Sequence, residues 1–254
     1  MEDSALDVER WMFLLFSMLS TIIVAAGSST RVGFDKLLAK IAGRPVIQHA
    51  VAAFENAECV TEIIVVCGDT ESMCNTIGSA HFTKVRAVVR GGKRRQDSVQ
   101  AGLKELTENC QFVAVHDAAR PLITAREIER VFSAAREHGA AVLAAPITDT
   151  LKFTDANQVV SGSIDRQNVF AMQTPQIFRR ESLLDAYERV SRNSLTITDE
   201  VSAIEHADGR IVIVPAQDHN LKITYASDLP LAEFILKQRR PSSRACSRDP
   251  GVKP

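Results

Sequence analysis

The chain has 254 residues, 45% hydrophobic and 24% charged, which is enough apolar mass for a full globular core. A formal net charge of -1, with basic residues spread along the chain, argues against a mainly electrostatic nucleic-acid binder. Five cysteines with no C-x-x-C pair argue against a disulfide framework or zinc site and fit a reducing cytoplasm.

Trp11 to Ala26 is nearly all apolar. It is shorter than the roughly 20 residues of a membrane helix. Glu2, Asp3, Asp7 and Glu9 spoil the positive start of a signal peptide, so no membrane association is expected. Thr21–Ala26 runs straight into a glycine loop and reads as a buried strand. Residues 1–17 are expected to be an N-terminal extension, with Met18 or Met12 as the natural start.

Further along, Pro45–Glu55 carries apolar residues at Val46, Ile47, Ala50, Val51 and Phe54, a helical period. Ile63–Val66 and Lys84–Val89 read as strands, Asp97–Leu106 as a helix, and Phe112–Val115 as a strand ending at His116 and Asp117. The spacing predicts a helix over Ala125–His138, stopped by Gly139, then a strand over Ala141–Ala145. Buried strands alternating with helices predict an α/β domain, a Rossmann-like, mainly parallel sheet flanked by helices. From 147 to about 170 the pattern changes. Thr150–Thr154 and Gln158–Ser161, around Asp155–Asn157, predict a projecting β-hairpin arm. Glu181–Val190 and Asp199–Glu205 read as helices, the second capped by Asp199 or Thr198. Ile211–Val214 reads as a strand and Asp228–Lys237 as a closing helix. The domain is thus expected over 18–237, with a disordered tail at 238–254.

Ligands of such sheets bind beyond the carboxyl ends of the strands, so motifs placed there matter most. Ala25–Lys36 follows the first strand. Gly27 permits close backbone approach, and Arg31 and Lys36 add cations, a pattern suited to a triphosphate. It is neither a Walker A loop nor the G-x-G-x-x-G of nicotinamide oxidoreductases. An ordinary strand-to-helix turn is the plain alternative. Gly91–Ser98 offers close approach to a flat base and the Ser98 hydroxyl for its polar edge. By itself this run reads better as a glycine turn with a basic surface. Asp117 is the right type for Mg²⁺ or a cap for the following turn. Arg120 has the planar fork for a phosphate. Lys222, after the last strand, is a phosphate contact or a surface lysine. His49, His81, His138 and His206 lack metal-ligand spacing, and Cys67 reads as a buried thiol.

Taken in order, these motifs resemble the 2-C-methyl-D-erythritol 4-phosphate cytidylyltransferases of the non-mevalonate isoprenoid pathway. The resemblance runs from about Ser20 to Lys237. It adds Ala145–Lys152, Asp165 with Arg166, Gln173–Gln176, Thr198–Glu200 and Asn220–Thr224 to the motifs above. It implies transfer of CMP from CTP to methylerythritol phosphate with Mg²⁺ as cofactor. Arg31, Lys36 and Lys222 match the basic catalytic and phosphate-binding positions. Ala25, Ala26, Gly27, Gly92, Ser98 and Asp117 match the CTP site, with Asp117 beside the metal. Arg120, Thr150, Arg166 and Thr174 match substrate contacts. Members are homodimers whose arms exchange, so Thr150 and Arg166 are expected to serve the neighbouring subunit. Two departures stand out: the Arg31–Lys36 stretch is shorter by two residues than in many members, and Lys93 replaces an aspartate found at the base-reading position. No cyclase segment follows, so a monofunctional enzyme is expected. Rival readings are a ribitol-5-phosphate cytidylyltransferase, a hexose-1-phosphate nucleotidyltransferase using UTP, and a non-catalytic nucleotide-binding module.

Overall fold

The computed structural model describes residues 18–27, 35–207 and 209–239. The expectations for 1–17, for Arg31 and for the tail beyond Arg239 lie outside them. A seven-stranded sheet organises the domain. Its first strand, β1 (Leu19–Ala25), is buried along almost its whole length and pairs in parallel with β4 (Val60–Cys67) and β6 (Phe112–Asp117). Beyond β4 lies β5 (Val85–Arg90), also parallel. On the other side of β6 come β10 (Phe170–Arg179), β7 (Ala140–Pro146) and the edge strand β11 (Val212–Pro215). A small pair, β2 (Lys40–Ile41) and β3 (Arg44–Pro45), precedes α1 (Val46–Asn56).

Alternation along the strands builds two cores, one on each face. Ile23 joins Val46, Ile47 and Phe54 of α1 and Ile128 and Val131 of α4 (Ala125–His138). Ile22 turns the other way. It meets Val99 of α3 (Arg95–Leu103) and the core that contains Tyr187 of α5 (Arg180–Arg192) and Ile204 of α6 (Glu200–Glu205). Bulky apolar side chains on both faces are what a sheet covered by helices requires. Helix α4 has the predicted bounds. Thr124 Oγ1 accepts from Glu127 N at its start, and Gly139 ends it at φ 86°.

Besides the short β2–β3 pair, two larger elements were not anticipated in the sequence reading. Helix α2 (Thr70–Gly78) was not expected; only Met73 and Ile77 are buried on it, and its start is set by Asp69, whose carboxylate accepts from Glu71 N and Ser72 N. The second is β10, which runs antiparallel between β6 and β7. Its Pro175 cannot donate to a ladder and reads against a central strand. The pairing accommodates it with a register break between Met172 and Gln176. The arm consists of β8 (Leu151–Thr154) and β9 (Val160–Ile164), paired only with each other. The last helix, α7 (Asp228–Arg239), extends two residues past the expected end.

Candidate active site

Register sets the site. Val24 lies opposite Asp117, Ala25 opposite Cys67, and Cys67 opposite Arg90. These carboxyl ends are therefore level, and a cleft of about 360 Å³ opens above them. Ala25, Ala26, Gly27, Lys36, Gly92, Ser98, Asp117 and Lys222, widely separated in sequence, all line it. Arg31 is the one expected member of this set that falls outside the described residues.

One wall is the turn before α3. A Cβ on Gly91 would lie 2.6 Å from the Ala26 Cβ, and one on Gly92 would lie 2.3 Å from the Asp97 Cβ. Only glycines allow the turn to close this far. Asp97 accepts from Arg94 N at 3.1 Å, satisfying a donor at the helix start. Ser98 lines the cleft as well, although little of it is exposed: its Oγ accepts from Gly92 N at 3.2 Å and donates to Arg94 O at 3.2 Å, which ties the turn to the start of α3. Lys93 lines the cleft beside Gly92.

The opposite side is charged. Lys222 Nζ donates to Asp117 Oδ2 at 2.6 Å, Arg95 Nε donates to Oδ1 at 3.3 Å, and Arg120 Nε lies 3.9 Å from Oδ2. Burial raises the Asp117 pKa, but Arg95, Lys222 and Arg120 outweigh it and hold the carboxyl well below the usual carboxylate range. Lys36 Nζ donates to the carbonyl of Ile223 at 2.8 Å. Lys36 is thereby anchored at the residue that follows Lys222. Asp117 is the one carboxylate among the described residues lining the cleft.

Sequence reasoning missed Arg95. It stands in a basic run that reads as surface, yet it is the first residue of α3 and points inward. Its Nη1 donates to both oxygens of Glu200, at 2.7 and 2.8 Å. Glu200 is fully buried and also accepts from the Tyr187 hydroxyl at 2.9 Å. Burial works against the charged form of Arg95, but Glu200 and Asp117 outweigh it and raise its pKa. Burial lifts the pKa of Glu200, yet both its oxygens face donors, so the pair is ionic. The one sequence signal was Glu200 itself, an acid in an otherwise apolar helix face.

A layer below, Thr174 is buried. Its hydroxyl accepts from Asp117 N at 3.0 Å and lies 3.0 Å from His116 Nδ1. The carbonyl of Arg120 can only accept, so His116 Nε2 donates to it at 3.2 Å, and in the neutral ring Nδ1 then accepts the Thr174 proton. Burial pushes the His116 pKa down to about 4, consistent with this neutral tautomer. Thr174, expected as a substrate contact, supports the backbone of Asp117 from beneath.

A broader hollow of about 910 Å³ adjoins the cleft, lined by Arg120, Thr148, Gln173 and Asn220, and by the apolar Leu231 and Phe234. Lys222 borders both spaces. Arg120 Nη1 donates to Asn220 O at 2.8 Å, and Asn220 Nδ2 donates to Thr174 O at 2.8 Å, fixing the rim. Thr150 and Arg166 line neither space. Thr150 is exposed at the foot of the arm, and Arg166 Nη1 donates to Thr148 O.

Comparison with known proteins gives a consistent answer. The profile of the IspD family, 2-C-methyl-D-erythritol 4-phosphate cytidylyltransferase, matches residues 19–238. The chain is 38% identical over 229 residues to the 2-C-methyl-D-erythritol 4-phosphate cytidylyltransferase of Alkaliphilus oremlandii, covering 88% of this chain and 97% of that one. It is 34% identical over 225 residues to the chloroplastic enzyme of the same name from Oryza sativa, covering 87% of this chain and 75% of that one. Among solved structures, 4-diphosphocytidyl-2C-methyl-D-erythritol synthase from Anaerococcus prevotii superposes with a TM-score of 0.77 at 27% identity, over 87% of this chain and 96% of the other.

Proposed function

The chain belongs to the 2-C-methyl-D-erythritol 4-phosphate cytidylyltransferase family, and we propose from that premise that its cleft and hollow bind the two substrates of one transfer. CMP passes from CTP to 2-C-methyl-D-erythritol 4-phosphate, giving 4-diphosphocytidyl-2-C-methyl-D-erythritol and pyrophosphate. Relatives named for this acceptor favour it over ribitol phosphate or a hexose phosphate. The observation that carries the reading is Lys222. It borders both the nucleotide-sized cleft and the adjoining hollow, with Lys36 anchored at the next residue.

The acceptor phosphate is largely dianionic at neutral pH, its second pKa being about 6. It needs no general base. An acceptor oxygen attacks the α-phosphorus in line and pyrophosphate departs from the opposite side. The barrier is the meeting of two anions, so positioning and electrostatic stabilisation dominate. Lys36 and Lys222 are placed to receive that charge, and Arg31 joins them by resemblance. Arg120, on the rim of the hollow, is suited to the acceptor phosphate.

Asp117 fits Mg²⁺, which is usually held by one or two carboxylates together with substrate phosphates. Asp117 is held ionised, and its Lys222 partner has a half-exposed side chain that can move away. When bound, the ion would neutralise phosphate charge. The arm fits a homodimer in which Thr150 and Arg166 reach the neighbour's hollow. Four unpaired thiols among the described residues support a reducing, cytoplasmic setting. Among those residues no helix is long and apolar enough to cross a membrane.

The test is pyrophosphate release with Mg²⁺, crossing CTP, UTP, ATP and GTP with methylerythritol phosphate, ribitol 5-phosphate and glucose 1-phosphate. Release is expected for CTP with methylerythritol phosphate. Preference for ribitol phosphate would overturn the acceptor, and silence from folded protein would overturn catalysis. Release with UTP equal to that with CTP would show that the Lys93 wall does not select the base.

A further inference from the structure

The two oxygens of Asp117 are not equivalent. Oδ1 takes one bond, from Arg95 Nε, while Oδ2 takes Lys222 and faces Arg120. A guanidinium beside a carboxylate commonly closes a two-bond fork on it. Arg95 does not close one on Asp117, because its Nη1 is held by Glu200. Among the described residues its Nη2 is buried with no hydrogen-bond partner, so the fork is divided between Asp117 and Glu200.

Glu200 cannot follow Arg95 into the cleft. Its backbone N donates to Gln176 Oε1 at 3.2 Å, and Gln176 Nε2 donates to Asp199 Oδ2 at 3.0 Å. Gln176 sits on β10 opposite Val115, two residues before Asp117 on β6. The Tyr187 hydroxyl closes the remaining side. Glu200 is thus tied to the strand that carries Asp117, and a buried charge without its partner is strongly unfavourable. Arg95 is therefore locked, whereas Lys222, with its side chain 44% exposed, is not.

We propose that Arg95 and Glu200 are a positioning pair for the nucleotide site. Glu200 divides the Arg95 fork, so that Arg95 pins Oδ1 of Asp117 while Oδ2 is left to the partner that can be exchanged when nucleotide arrives. Without Glu200, Arg95 is free to close on both oxygens. Without the fork, Oδ1 has no anchor. This inference rests on the cleft being the CTP site.

The experiment compares wild type with Arg95→Lys and Glu200→Gln. Arg95→Lys keeps the charge but cannot bridge two carboxylates. The measurements are melting temperature, CTP affinity by calorimetry without acceptor, and KM for each substrate with kcat. Partners behind metal-holding side chains are typically worth about 10–100-fold, and the same scale is taken for a carboxylate that would hold the nucleotide's Mg²⁺. The expected result is a loss of about 10–100-fold in CTP affinity and in kcat/KM for CTP, with KM for methylerythritol phosphate unchanged. A purely structural role would lower the melting temperature and the active fraction without moving either KM, and that result overturns the proposal. Wild-type CTP affinity and turnover in a folded variant also overturn it. Where a single variant does not fold, Glu200→Gln with Arg95→Met removes both buried charges, and the same CTP-specific loss is expected of it. Wild-type activity is the separate control: if wild type does not turn over CTP with methylerythritol phosphate, the function reading fails first.

Discussion

Lys36 and Lys222 come from opposite ends of the chain, and Lys36 Nζ is anchored on the carbonyl of Ile223, the residue after Lys222. Lys36 brings an anchored cation and Lys222 an exchangeable one to a place where transfer concentrates negative charge. A preorganised donor of this kind is worth about 10²–10³ in turnover, so Lys36→Ala is expected to lose that much in kcat while melting like wild type. Turnover close to wild type would remove Lys36 from the mechanism. Cys67 makes the opposite case. It ends β4 close to the cleft, but burial pushes its thiol up to about 11, and the thiolate is the reactive form. The native thiol is therefore expected to resist iodoacetamide at pH 8, and Cys67→Ala to keep turnover within about twofold, since no step uses it. A rapidly alkylated Cys67 whose modification tracks loss of turnover would give it a role that this geometry does not.

Among the elements, the turn before α3 carries the most function per residue. It brings Gly91 against Ala26, which joins the β1 loop to the wall built by α3. A methyl at Gly91 would meet both Ala26 and Ser98, and overpacking of this sort costs about 1–3 kcal/mol. Gly91→Ala is expected to lower the melting temperature and to raise KM for CTP more than KM for the acceptor; equal effects on both would mean the turn does not line the CTP site. Much of this architecture was legible in the sequence. Strands at Ile63–Val66 and Phe112–Val115 and the helix at Ala125–His138 are strongly patterned, and all lie where expected. The motif residues at strand ends were legible too, because parallel strands bring those ends level wherever they fall in the chain. What escaped depends on partners distant in sequence. Strand β10 hides behind Pro175, whose missing donor is tolerated only because the ladder breaks there. Arg95 reads as surface because its neighbours Lys93 and Arg94 are more exposed, and nothing local reveals a buried Glu200 waiting 105 residues away. The depth of Thr174 and Ser98, both buried, was not legible either, since a side chain's depth is set by packing that no motif records.

For the whole molecule, the arm poses the question. A two-stranded hairpin alone is marginal in water, yet among the described residues β8 and β9 pair only with each other. Phe153, Val159 and Val160 are 59%, 61% and 61% exposed on it. Thr150 and Arg166 lie at its base and line neither the cleft nor the hollow of their own chain. A second copy covering the arm would bury those side chains and bring Arg166 to a neighbouring hollow. Each working site would then combine Lys36 from one chain with Arg166 from the other. That arrangement has a signature that no monomer shows. Lys36→Ala and Arg166→Ala are each expected to be nearly inactive. Mixed in equal amounts and allowed to exchange, half the dimers become heterodimers, and each of these holds one site with both changes and one with neither. Turnover should return to about a quarter of wild type per site, as closed two-fold symmetry dictates. Exchange is to be verified independently by mass spectrometry of tagged chains. Recovery near a quarter, absent before exchange, establishes a site shared across the dimer. If heterodimers form and turnover stays at the level of the parents, Arg166 works within its own chain, and the arm must fold back onto the hollow beside it.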